Sequence, residues 1–205
     1  MADDVILGPD DPVEDRPFTD PRHTSQDAEV MRTALGELRQ RAAAWKDEPR
    51  RRILQRDRDE HGLRHLIVVP DTKNLLEAER LTAVGFFGRA RADVDHTVLF
   101  DLEDELVAAM NDYADVGLVT YYDVELPKSA YGNLVLFSTP DVPPEWAQNT
   151  IHRRAVEVSP AHYDYVRLHK GTIWGRLLDG CELTIDRTKY LDFGDAAGWR
   201  AVRQF

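Results

Sequence analysis

The chain has 205 residues, 42% of them hydrophobic and 31% charged, and carries a formal charge of −11. That length allows one domain with a sizeable core but not two large ones, and a net anion is repelled by phosphates, so no nucleic-acid partner is expected. The single cysteine, Cys181, excludes an intramolecular disulfide and a cysteine-based zinc site, and fits a reducing compartment.

The start, Met1-Ala2-Asp3-Asp4, lacks the basic and apolar regions of a signal peptide. No apolar run approaches the roughly 20 residues that span a bilayer, so a soluble, cytoplasmic protein without a membrane partner is expected. Residues 1–24 hold Pro9, Pro12, Pro17 and Pro21 among seven acidic residues. Such a stretch buries too little surface to offset its ordering entropy, and it reads as a disordered acidic tail, or alternatively as an arm lying on a partner subunit.

Residues 25–60 read as an N-terminal helix and a basic connector. Thr24 followed by Asp27 resembles a capping box, and Met31, Leu35, Leu38, Ala42 and Trp45 recur at helical spacing up to Pro49. Arg50, Arg51, Arg52, Arg56 and Arg58 follow, interrupted by Ile53 and Leu54. Without interleaved aromatic residues this is a solvated turn or helix end rather than a nucleic-acid patch.

Residues 61–205 read as an α+β domain. Strands are predicted at 66–69, stopped by Pro70-Asp71, and at 84–91, where Gly85 and Gly88 mark a bulge or close packing. Leu102, Leu106, Ala109, Met110 and Tyr113 define a helix face, and residues 117–126 and 133–139 a hairpin. Pro143-Pro144 opens a helix over 145–158 that stops at Ser159-Pro160, and strands follow at 163–173 and 183–191. From Val84 the order is βαββαβ plus one strand, that of a ferredoxin-like antiparallel sheet with helices on one face. Face-to-face dimerisation is the common way to protect the other face, and it encloses a cavity.

The residues 133–138, Trp146, Ile151-His152 and Ser159-Pro160-Ala161-His162-Tyr163 resemble the third strand and second helix of the dimeric α+β barrel superfamily. That superfamily includes antibiotic-biosynthesis-type monooxygenases, stress-responsive barrels and several haem proteins. The run Glu145-Trp146, His152 and Pro160-Ala161-His162 loosely resembles the proximal-histidine segment of haem-dependent aldoxime dehydratases, although His152 and Pro160 stand eight apart where that family has them adjacent. The resemblance implies a homodimer, and it implies haem as a cofactor with His152 as its iron ligand; otherwise no cofactor is expected.

Alternation places Tyr163, Tyr165, Arg167 and His169 on one face of their strand, a set that suits a polar-lined cavity. Tyr121, Asp123 and Glu125 form a similar set, and Arg89 and Arg91 are also spaced by two. If the sheet unites them, His169, Arg167, Tyr121 and Asp123 become candidate catalytic residues for acid–base work on an oxyanion; otherwise they form a surface ion-pair ladder. Metal binding outside haem has little support. Of the seven histidines only His61 and His65 have i,i+4 spacing, with Gly62 between them, and no Gly-rich phosphate loop or Gly-x-Ser-x-Gly elbow occurs. The reading is a small-molecule enzyme of the dimeric α+β barrel type, haem-dependent or cofactor-free, with monooxygenase- or dehydratase-like chemistry. The alternatives are a non-catalytic ligand-binding or stress-response barrel, and an interaction protein docking through its helix and tail.

Overall fold

The apolar stripe that begins at Met31 packs a long helix onto one face of a sheet whose alternating strands bury side chains on both faces. The computed structural model describes residues 4–45, 53–194 and 198–205. In chain order these form β1 (Val5–Leu7), α1 (Pro21–Ala42), β2 (Ile53–Arg58), β3 (Arg64–Val69), α2 (Thr72–Glu77) and β4 (Arg80–Ala90). Then come α3 (Thr97–Ala109), β5 (Leu118–Leu126), β6 (Ala130–Phe137), α4 (Pro144–Ala147), α5 (Thr150–His162), β7 (Tyr163–Trp174), β8 (Glu182–Asp192) and β9 (Arg200–Gln204). Among the described residues the nine strands make one sheet, ordered β1-β9-β8-β7-β4-β6-β5-β3-β2. Every pairing is antiparallel except β1 with β9. No helix among them is long and apolar enough to cross a membrane.

The protein is thus α+β with an N-terminal helix, as expected, and the predicted hairpin is β5–β6. Its helices, however, lie on both faces of the sheet, not on one. Met31, Leu35 and Leu38 of α1 pack with Ile67, Ala83, Phe87, Val119, Tyr122, Leu134 and Leu136. Their sequence neighbours Leu66, Val68, Leu118, Tyr121, Val135 and Phe137 face the other way, toward Leu106 and Val107 of α3 and Trp146 of α4. Gly85 admits α1 so closely that a Cβ there would lie 2.7 Å from the Met31 sulfur.

Local chemistry explains the remaining differences. Helix α1 starts at Pro21 with the Asp20 carboxylate accepting from the Arg22 amide, so Thr24 and Asp27 lie inside the helix instead of capping it. Residues 4–24 of the segment read as a disordered tail are held in place: β1 pairs with β9, and the fully buried Arg203 donates to the carbonyls of Gly8, Asp11 and Thr19. Phe18 stacks on Tyr165 with ring centroids 4.5 Å apart. Of the basic connector, residues 53–58 form the edge strand β2, with Arg56 paired to Asp104 of α3; Pro49 and Arg50, Arg51 and Arg52 fall outside the described residues. The helix after Pro143 breaks at Asn149, whose side chain accepts from the Ile151 amide, and α5 then runs through Pro160 to His162.

Candidate functional site

Strand registers decide which polar residues meet. Gly85 pairs with His169 and Phe87 with Arg167, so both β7 side chains project beneath α1 with Phe87. Asp123 pairs with Asn133, which pairs with Phe86, and this row faces α3. The four predicted catalytic residues therefore divide between opposite faces: Arg167 and His169 on one, Tyr121 and Asp123 on the other. A register shift between Arg89 and Ala90 also turns Tyr163 away from Tyr165, into a cluster with Ala90 and Val166.

Beneath α1, Arg167 donates to the Asp27 carboxylate from Nε at 2.6 Å and Nη2 at 2.9 Å. His169 Nε2 lies 2.8 Å from the same carboxylate, and its Nδ1 lies 2.8 Å from the Thr188 hydroxyl. Burial raises the proton affinity of Asp27, but the hydrogen bonds from His169 and Arg167, with their charge, outweigh it and hold the carboxyl below its usual range. All four side chains are buried, and the third guanidinium nitrogen, Nη1, is enclosed without a hydrogen-bond partner among the described residues. This cluster ties α1 to the sheet; it is closed to a substrate.

Facing α3, Arg64 bridges two carboxylates, donating from Nη1 to Glu103 at 2.5 Å and from Nη2 to Asp123 at 2.8 Å. The Tyr121 hydroxyl donates to Glu103 at 3.4 Å. Burial, reinforced by the Glu103 charge, pushes the Asp123 carboxyl well above its usual range despite the opposing charge of Arg64. Burial likewise raises Tyr121 and Tyr163, with the Asp123 charge adding to both. Arg64 and Tyr131 are only half-buried, and the exposed ring of Phe100 lies 5.6 Å from the Arg64 guanidinium carbon, so this cluster reaches the surface. Neither Arg64 nor Glu103 was singled out from the sequence. Arg64 opens β3 two residues before an apolar run, and Glu103 follows the apolar Leu102 on α3; nothing local marks either as a partner of Asp123.

The predicted haem ligand, His152, lies near the start of α5 with its ring centroid 5.8 Å from that of Trp146. Its Nδ1 is shut off from solvent and has no hydrogen-bond partner among the described residues, and burial lowers the proton affinity of the ring. An iron ligand must present a nitrogen to an open ring-sized space, whereas the Nδ1 of this imidazole is enclosed and its ring packs against an indole. The residues around His152 do not fit haem. Among the described residues no group of three or more His, Cys, Asp or Glu side chains is arranged to hold a metal ion. No protein family, curated protein or solved structure matches this chain.

Proposed function

We propose that the protein is a small-molecule enzyme working by general acid–base chemistry at the cluster beneath α3, with Asp123 as acid, Glu103 as base and Arg64 as the cation that holds both. The observation carrying this reading is the raised proton affinity of an enclosed carboxyl, Asp123, 2.8 Å from a guanidinium that also binds a second carboxylate. An enclosed carboxyl of raised proton affinity set beside a second carboxyl is a recurrent arrangement for general acid–base work. The chemistry that suits them is loss or addition of water. The acid protonates a leaving hydroxyl, the base removes the proton from the adjacent atom, and Arg64 with the Tyr121 phenol steadies the developing oxyanion.

The element order β4-α3-β5-β6-α5-β7, with its strands adjacent as β7-β4-β6-β5, supports a ferredoxin-like unit at the centre of the sheet, and with it a relation to the α+β barrels. Non-catalytic binding of a small molecule is the second reading, favoured by the way Arg64, Glu103 and Asp123 satisfy one another. Assays for water loss on a panel of β-hydroxy carbonyl compounds and aldoximes separate the two. Turnover abolished in both Asp123→Asn and Glu103→Gln, with unchanged circular dichroism, is the expected result. Saturable binding without turnover gives the second reading, and neither binding nor turnover removes both. Since the Nδ1 of His152 is enclosed and its ring packs on Trp146, hemin added to the purified protein is expected to give no Soret band that His152→Ala loses.

A further inference from the structure

One stripe of α1, made by Arg32, Leu35, Gly36 and Arg39, faces the connection between β7 and β8 across a cleft of about 340 Å³. The far wall carries Leu177, Gly180, Cys181 and Leu183, and no residue of the clusters beneath α1 and α3 takes part. That volume falls among the roughly 300–1,000 Å³ of small-molecule sites. Gly36 is the unexpected member. A glycine in mid-helix costs backbone entropy and is kept where something needs the room. At Gly85 that something is Met31, but a Cβ on Gly36 would meet no atom within 4 Å, so the room it leaves is the open middle of the cleft. Arg39 stands at one end. Its Nη1 lies 3.8 Å from where a Cβ on Gly180 would be, and Gly180, at φ +96°, keeps that wall bare backbone. The Arg39 guanidinium makes no hydrogen bond or ion pair among the described residues. Burial pushes the neighbouring Cys181 thiol up, and the Arg39 charge opposes that rise. Arg32, two turns away, engages Glu29 at 3.3 Å, and the exposed Glu182 at the rim pairs with neither arginine. Between the ends, the buried Leu35, Leu177 and Leu183 form an apolar floor.

We infer that this cleft binds a small monocarboxylate with an apolar body, its head group taken by Arg39 and its chain or ring lying over Gly36 against Leu35 and Leu183. A guanidinium presents a fork of N–H donors that matches the two oxygens of a carboxylate. The leucines gain from covering an apolar body and offer nothing to a bare, hydrated anion such as phosphate. The net charge of −11 also repels a polyanion more than it repels a monoanion. The site lies apart from the acid–base cluster beneath α3 and does not depend on it.

The test is calorimetric titration of the full chain with sodium octanoate. The rate at which iodoacetamide alkylates Cys181, the only thiol, is the second readout. One equivalent of octanoate is expected to bind saturably and to slow alkylation, with octanol and inorganic phosphate each at least about tenfold weaker. Arg39→Gln, an exposed change, is expected to weaken octanoate at least about tenfold. Gly36→Leu places a better helix former in open space, so it is expected to melt no lower than wild type while losing octanoate. Absence of saturable octanoate binding, or binding that leaves Cys181 alkylation unchanged, would overturn the assignment. So would octanol or phosphate binding as tightly as octanoate, or unchanged octanoate affinity in either variant.

Discussion

At the scale of single residues, the two carboxyls that anchor the faces of the sheet respond to protons in opposite senses. Asp27 is held ionised by Arg167 and His169, so its contribution is present above the unfolded carboxylate range and is lost as pH falls through its depressed folded value. Asp123 has the reverse linkage. The folded protein holds its proton more tightly than the unfolded chain does, so its contribution is full at low pH and is lost as pH rises through the raised folded value. Melting temperature followed from about pH 4 upward should therefore fall less steeply in Asp123→Asn than in wild type, since the amide has no proton to lose; parallel curves would show that Asp123 ionises normally. Asp27→Ala leaves a buried guanidinium without its counter-charge and should cost about 3–5 kcal/mol in urea melts. Asp27→Leu combined with Arg167→Met should recover most of that loss, because replacing a buried pair by apolar groups of similar size is nearly neutral where removing one partner is not. If the double variant were as unstable as Asp27→Ala, the loss would come from packing rather than charge.

At the scale of elements, the N-terminal segment depends on a residue at the other end of the chain. Arg203 of β9 donates to the carbonyls of Gly8, Asp11 and Thr19 and, at 2.8 Å, to the Tyr190 hydroxyl. Arg203→Met should cost at least about 2 kcal/mol and release residues 4–20 to rapid amide exchange while β4 and β6 stay protected; a uniform rise in exchange would mean that the segment is not a separate unit. This dependence explains what the sequence could not disclose. The periodic stripe of α1, the β5–β6 hairpin and β7 follow from local alternation and were legible, as was the pairing of Tyr121 with Asp123 on one face. The order of residues 4–20 was not, because its hydrogen bonds come from a guanidinium nearly 200 residues away. Strand β2 was hidden because an edge strand can carry charges such as Arg56 and Arg58 and read as a solvated turn. One signal was available and misread: Asp27 lies four residues before Met31, on the apolar stripe, and a carboxylate there calls for a buried cation. Alternation alone could not foresee that the shift at Arg89 and Ala90 sends Tyr163 to the opposite face from Tyr165.

For the whole molecule, the decisive feature is that α1 lies on the face where a barrel-forming partner would sit. Met31, Leu35, Leu38, Ala42 and Trp45 are all buried, and they pack with the apolar residues that β3 to β6 turn away from α3. Exposing that face would return about five such side chains to water at roughly 1.5–3 kcal/mol for each of the larger ones, a loss on the order of 10 kcal/mol. A second sheet would have to bury a comparable area before association even began to favour the dimer. The helix therefore does intramolecularly, without the entropy of association, what the second subunit does in a face-to-face barrel. The expected mass in solution by light scattering is that of one chain, 23.4 kDa. Twice that mass with α1 amides freely exchanging would show that the helix swings out and the barrel forms after all. Twice that mass with α1 protected would place the contact elsewhere. The sheet edges are the natural candidates, since Val5 and Ile6 of β1 and Leu54 of β2 expose apolar side chains on strands whose outer edge pairs with no other strand among the described residues.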